Sequence, residues 1–120
     1  TPLPTVAVDP DACVTDEEAI NRINISSPRS NQEVRGLVDV TGVVNVENFG
    51  FYKLEIARVQ DGLWLPIQAN RVLVPEEATL VEWDSSLFPP GDYVIQLVVT
   101  TNDGDEYPPC RIPIRIVQAN

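Results

Sequence analysis

The side chains in this chain that are suited to chemistry are carboxylates, two cysteines and a few aromatic rings; histidine is absent. Without histidine there is no His-based triad and no ordinary general base titrating near neutral pH. Serines occur, but none sits in the Gly-x-Ser-x-Gly turn that exposes a nucleophile. The close carboxylates weighed for catalysis are Glu76-Glu77 and the group Asp103, Asp105 and Glu106. Glycoside cleavage needs two carboxyl groups facing each other across a cleft, whereas these lie in polar, turn-like stretches. The expectation is a protein that is not an enzyme.

The run Asn102-Asp103-Gly104-Asp105-Glu106 is rich in the oxygen ligands that calcium takes. It lacks the full EF-hand loop, and Asn-Asp-Gly is what a hairpin turn requires, so a turn without metal is expected. Cys13 and Cys110 are the two cysteines, and a pair alone cannot complete a four-ligand zinc site. They are either two buried thiols or a disulfide that clips an N-terminal arm onto the last strand. The disulfide is the reading preferred here, because an isolated even pair flanks the patterned part of the chain. It implies an oxidising, extracellular or cell-surface location. No cofactor is indicated.

Trp64 and Phe51 fall on neighbouring strand-like segments and are the candidate ligand patch, on an outer face open to a glycan or a neighbouring domain. Trp83 is expected in the core. Asn24-Ile25-Ser26 matches a glycosylation sequon, but it lies inside a strand-like segment and reads as a chance match.

These groups must be positioned by short elements. The 120 residues fit one domain, 43% of them hydrophobic, and eleven prolines suit short strands and turns rather than long helices. No apolar run approaches the roughly 18 residues of a membrane span. Eight basic residues against 18 acidic ones give a net charge of −10, the wrong sign for nucleic acid or an anionic membrane surface. Residues 1–20 read as an arm, and Thr1-Pro2-Leu3-Pro4-Thr5 reads as the end of a Pro/Thr-rich stalk whose secretion signal or anchor lies elsewhere. Within the arm, Asp9-Pro10-Asp11 carries no period, while Thr15 to Glu18 has capping-box spacing and predicts a helical turn.

Residues 21–120 form the predicted domain. Ile23 and Ile25 alternate with polar residues; Val34, Val38 and Val40 share a face of the next strand, which Gly42 ends or bends. Tyr52, Leu54 and Ile56 point one way and Phe51, Lys53 and Glu55 the other. Asp61-Gly62 predicts a hairpin that returns through residues 63–68. A short strand or loop follows through Val72 and Val74, and the broken alternation of Leu80, Val81 and Trp83 suggests a bulge. Tyr93, Ile95, Leu97 and Val99 line one face of a long strand, and Ile112, Ile114 and Ile116 one face of the last. Pro113 makes that last strand an edge, or turns residue 113 toward an unpaired side. The outcome is all-β: an immunoglobulin-like, two-sheet antiparallel sandwich of seven or eight strands.

The segment Trp83-Asp84-Ser85-Ser86-Leu87-Phe88-Pro89-Pro90-Gly91-Asp92-Tyr93 resembles a signature of bacterial immunoglobulin-like and fibronectin-III-like cell-surface domains. Residues 49–55 and 62–67 fit the same pattern, and the resemblance spans about residues 23–117. It implies a Tyr93 whose hydroxyl bonds backbone upstream, and Pro90-Gly91 fits a type II turn before it. The expected function is a structural spacer or protein-interaction module of a secreted or cell-surface bacterial protein, accessory to a cell-wall enzyme. Its partners would be neighbouring domains of a longer chain or another surface protein. The rival reading is a carbohydrate- or peptidoglycan-binding module using Phe51 and Trp64.

Overall fold

The computed structural model describes residues 13–16, 18 and 20–118. The stalk reading of residues 1–5 and the segment Asp9-Pro10-Asp11 lie outside the described residues, as does Glu17 of the capping-box spacing. At that spacing the Glu18 amide donates to Asp16 Oδ1 at 2.9 Å, so the aspartate takes the amide that a capping Thr15 would need.

Eight strands occur among the described residues: β1 (Arg22–Ser27), β2 (Gln32–Val34), β3 (Leu37–Asn45), β4 (Phe49–Arg58), β5 (Leu65–Asn70), β6 (Val74–Asp84), β7 (Gly91–Thr101) and β8 (Cys110–Ile116). They form a three-stranded sheet in the order β1-β3-β6 and a five-stranded sheet in the order β2-β8-β7-β4-β5. Every pairing is antiparallel except β2 with β8. The core between the sheets is built by period-two alternation. Tyr52, Leu54 and Ile56 of β4 meet Tyr93, Ile95, Leu97 and Val99 of β7, with Ile112, Ile114 and Ile116 of β8 beside them, all buried. Val38 and Val40 of β3, Ile23 and Ile25 of β1, and Leu80 and Trp83 of β6 close it from the other sheet. Each such aliphatic side chain contributes about 1.5–3 kcal/mol when fully buried.

The structure differs from the sequence reading at two places, Val34 and Gly91, and decides between its alternatives at two more, Gly42 and Val72. Val34 does not share a strand with Val38 and Val40: Gly36, at φ +60°, breaks the chain so that β2 joins the five-stranded sheet and β3 the other. Gly42 does not end β3, which runs on to Asn45. Its missing Cβ instead lets β1 approach, since a Cβ there would collide with the Asn24 carbonyl oxygen. Val72 belongs to no strand and is exposed. β6 starts at Val74 and keeps Pro75 because β6 is an edge strand, where a missing amide hydrogen costs no ladder bond. Gly91 has a positive φ, but at +153° it lies far from the roughly +80° of a type II turn and already opens β7.

Other features agree. The bulge in β6 is at Leu80, because Val40 pairs with Val81 and Thr41 with Thr79, leaving Leu80 between them. Pro113 takes the second of its two expected settings. β8 is flanked on both sides, yet the Pro113 carbonyl accepts from Asn31 on the β2 side, so the missing amide points away from β7, where β2 has not yet begun.

Candidate functional site

Cys13 and Cys110 are joined, with Cα atoms 4.7 Å apart and a sequence separation of 97. Cys110 is fully buried at the start of β8, and the neighbouring Val14 amide donates to the Ile23 carbonyl at 2.7 Å. The arm is therefore bonded covalently to the five-stranded sheet and by a backbone bridge to the outer edge of the three-stranded one. That bridge also covers part of an edge that would otherwise present free amides and carbonyls.

At the upper end of the sandwich, the Tyr93 hydroxyl donates to the Pro89 carbonyl at 2.8 Å. Phe88 stands edge-on to Tyr93 at 5.9 Å and packs on Trp83 at 5.4 Å, so Trp83 is a core residue as expected. Arg58 lies over the Tyr93 ring at 5.9 Å. These contacts fix the β6–β7 connection where the chain passes from one sheet to the other.

Phe51 and Trp64 share the outer face of the five-stranded sheet but stand toward its opposite ends. Phe51 pairs with Thr100, while Trp64 immediately precedes Leu65, which pairs with Ile56. Six positions along β4, from the Phe51 level to the Ala57 level, separate them by roughly 20 Å. Trp64 is half-buried, with the Arg111 guanidinium 5.1 Å from its ring centre. Arg111 Nε donates to Gln96 Oε1 at 3.1 Å, Gln96 Nε2 donates to Glu55 at 2.8 Å, and Lys53 lies 3.7 Å from the same carboxylate oxygen. This polar chain crosses β8, β7 and β4 and buries Gln96. Phe51, more open, borders a depression of about 530 Å³ with Ala69, Asn70 and Arg71.

The acidic loop after β7 is occupied with its own backbone. Asp103 accepts from Asn48 Nδ2 at 2.7 Å, and the Thr101 hydroxyl accepts from the Asp103 and Asp105 amides. Among the described residues, no group of three or more His, Cys, Asp or Glu is placed to hold a metal ion. Glu76 and Glu77 lie exposed on the edge strand β6. Asn24 lies within β1, paired with Val43.

A feature the sequence did not single out lies at the upper end. Leu37, Leu63, Leu65 and Leu87 are between 53% and 79% exposed, and their placing at one end of the sandwich sets them apart from singly scattered surface leucines. Leu63 and Leu65 border an apolar depression of about 270 Å³ with Ala57, Phe88, Pro89 and Tyr93, and Arg58 and Asp61 stand at its rim. The local sequence explains the exposure. Gly62 at φ +64° and the Asp61 carboxylate, which takes the Leu63 amide at 3.0 Å, turn the β4–β5 hairpin so that Leu63 projects outward. Leu87 is carried out by a single 3₁₀ turn whose first amides are held by Asp84 and Gly36. The sequence signal was there as four leucines in or beside turns, where polar residues are the rule.

No protein-family model matches the chain, and no curated protein matches it. Among solved structures, the fibronectin(III)-like modules of Clostridium thermocellum CbhA superpose at a TM-score of 0.56 with 17% identity, covering 80% of this chain and 96% of theirs. CopC from Methylosinus trichosporium OB3b aligns at a TM-score of 0.42 with 16% identity, covering 78% of this chain and 90% of its own. The sandwich is thus immunoglobulin-like, of the fibronectin-III-like kind.

Proposed function

We propose that this chain is a non-catalytic structural and interaction module of a secreted or cell-surface bacterial protein, accessory to a cell-wall enzyme. The observation that carries the reading is the leucine-rich upper end, an apolar surface presented by rigidly held turns rather than a cleft lined by converging polar groups. The bonded Cys13–Cys110 pair supports an oxidising compartment. A likeness to modules of CbhA fits a spacer role, in which a stiff sandwich sets the distance between other parts of a chain.

The test is an assay for reducing ends and released peptide after incubation with purified peptidoglycan and cell-wall polysaccharide. The expected result is no turnover. Turnover that is lost on replacing Glu76, Glu77 or Asp103 would overturn the reading.

A glycan-binding role is the second reading, because Asn70 and Arg71 line the same depression as the open Phe51 ring. Polysaccharide titration followed by the chemical shifts of Phe51 and its neighbours decides it. Saturable binding abolished by Phe51→Ala, with the fold retained, would put this reading first.

A further inference from the structure

We infer that the leucine-rich upper end is a self-complementary surface through which two copies of this chain associate end to end. The inference rests on the interaction-module reading and names the partner for it.

Charge restricts where two copies can meet. With a net charge of −10, contact over most of the surface sets acid against acid. The lower end is acidic: its turns and the terminal residues of its strands carry Glu47, Asp103, Asp105 and Glu106 against Arg22 and Arg71. On the same count the upper end is balanced, with Arg35 and Arg58 against Asp61 and Asp84. Two such ends approach without net repulsion.

Shape supplies the second argument. A two-fold pair needs a projection and a recess on the same surface, so that each copy fills the other. Leu87, 79% exposed, adjoins Phe88, and Phe88 lines the apolar depression. The depression, at about 270 Å³, has room for a leucine side chain and is walled by Leu63, Leu65 and Pro89. Leu87 of each copy therefore enters the recess of the other. The same symmetry brings Arg58 on one rim to Asp61 on the other copy, twice over. Among the described residues, the Arg58 guanidinium otherwise lies over the Tyr93 ring.

Sedimentation of the intact chain over protein concentrations up to about 1 mM tests this, the range in which weak association shows. The expected result is a weight-average mass that rises toward twice the monomer value. Leu87→Asp should hold it at the monomer value while melting and circular dichroism stay as in the parent. Arg58→Asp and Asp61→Arg should each be monomeric alone, and an equimolar mixture of the two should form the mixed dimer. A parent chain that stays monomeric throughout overturns the inference and leaves the module reading standing, as does a dimer indifferent to Leu87→Asp. Cell-wall turnover in the assay above would instead overturn the module reading, whatever the mass.

Discussion

The hydroxyl of Tyr93 reaches back four residues to the carbonyl oxygen of Pro89 at 2.8 Å, while the ring itself is buried. That one bond ties the start of β7 to the connection arriving from β6 in the opposite sheet. Tyr93→Phe keeps the ring and its edge contact with Phe88 but leaves the Pro89 carbonyl without this donor. The expected loss is about 1–2 kcal/mol, read as a lower denaturant midpoint with an unchanged slope. An unshifted midpoint would mean that water replaces the hydroxyl without cost.

The disulfide should matter more. Closing a loop with a sequence separation of 97 removes a large part of the unfolded chain's freedom, about 4–5 kcal/mol in the chain-entropy account. A domain of this size has a total stability of about 5–15 kcal/mol. The double variant Cys13→Ala, Cys110→Ala is therefore expected to melt well below the parent and to approach the margin of folding. Reduction of the parent should lower its midpoint by a similar amount. Equal midpoints for oxidised and reduced protein would argue against any such contribution.

At Gly42 the backbone of β1 occupies the space a side chain would need. The obstacle is a carbonyl in a paired strand, not the movable tip of a side chain. Gly42→Ala must push β1 from β3 and is expected to cost about 1–3 kcal/mol. Gly36→Ala meets no such obstacle and is strained only through its φ of +60°. A comparison of the two melts separates close approach from backbone strain.

How far these features could be read without coordinates depends on whether the local pattern decides them. The alternation of Tyr52, Leu54 and Ile56 is imposed by a sheet with one face on the core, so strand and facing were legible together. The Leu80 bulge was legible for the same reason, as a break in that alternation. Val34 and Val38 are four apart, a spacing equally consistent with one continuous strand, and only the backbone angle at Gly36 separates them. Likewise Phe51 and Trp64 were readable as outward residues. Their separation along the sheet depends on pairing register, including the shift between Leu54 and Glu55, which no local pattern encodes. The exposure of Leu63 and Leu87 depends on what lies opposite them in space; leucines beside turns are the local sign of it, but which of them stay uncovered is decided only by the fold.

Burial between the sheets raises the pKa of the Tyr52 phenol above its ordinary value; hydrogen bonds with the Gln68 and Asn70 side chains act weakly the other way. The folded state thus favours the neutral phenol. Its contribution is complete below the unfolded pKa of about 10 and is lost as pH rises past that value through the raised folded one. Near-ultraviolet titration of the parent and of Tyr52→Phe should show that the ionisation lost in the variant lies above the ordinary tyrosine range, and the variant should flatten the alkaline fall in stability. A lost ionisation at the ordinary tyrosine pKa would contradict this.

The remaining prediction concerns the polar chain on the outer face. Arg111 covers Trp64 with its guanidinium and satisfies the buried amide oxygen of Gln96 through Nε. Arg111→Ala removes both roles, leaving a buried acceptor unpaired, which costs about 1–3 kcal/mol. It also bares the Trp64 ring to water. Trp83, in the core, is untouched by the change and serves as the internal reference. Emission should therefore shift to the red in the folded variant, and a Trp64→Phe background should abolish that shift while the stability loss persists in part. Arg111→Lys should recover less than half of the lost stability, because a point charge cannot reproduce a flat guanidinium lying on the ring while bonding Gln96. Full recovery by lysine would show that charge alone holds this face together.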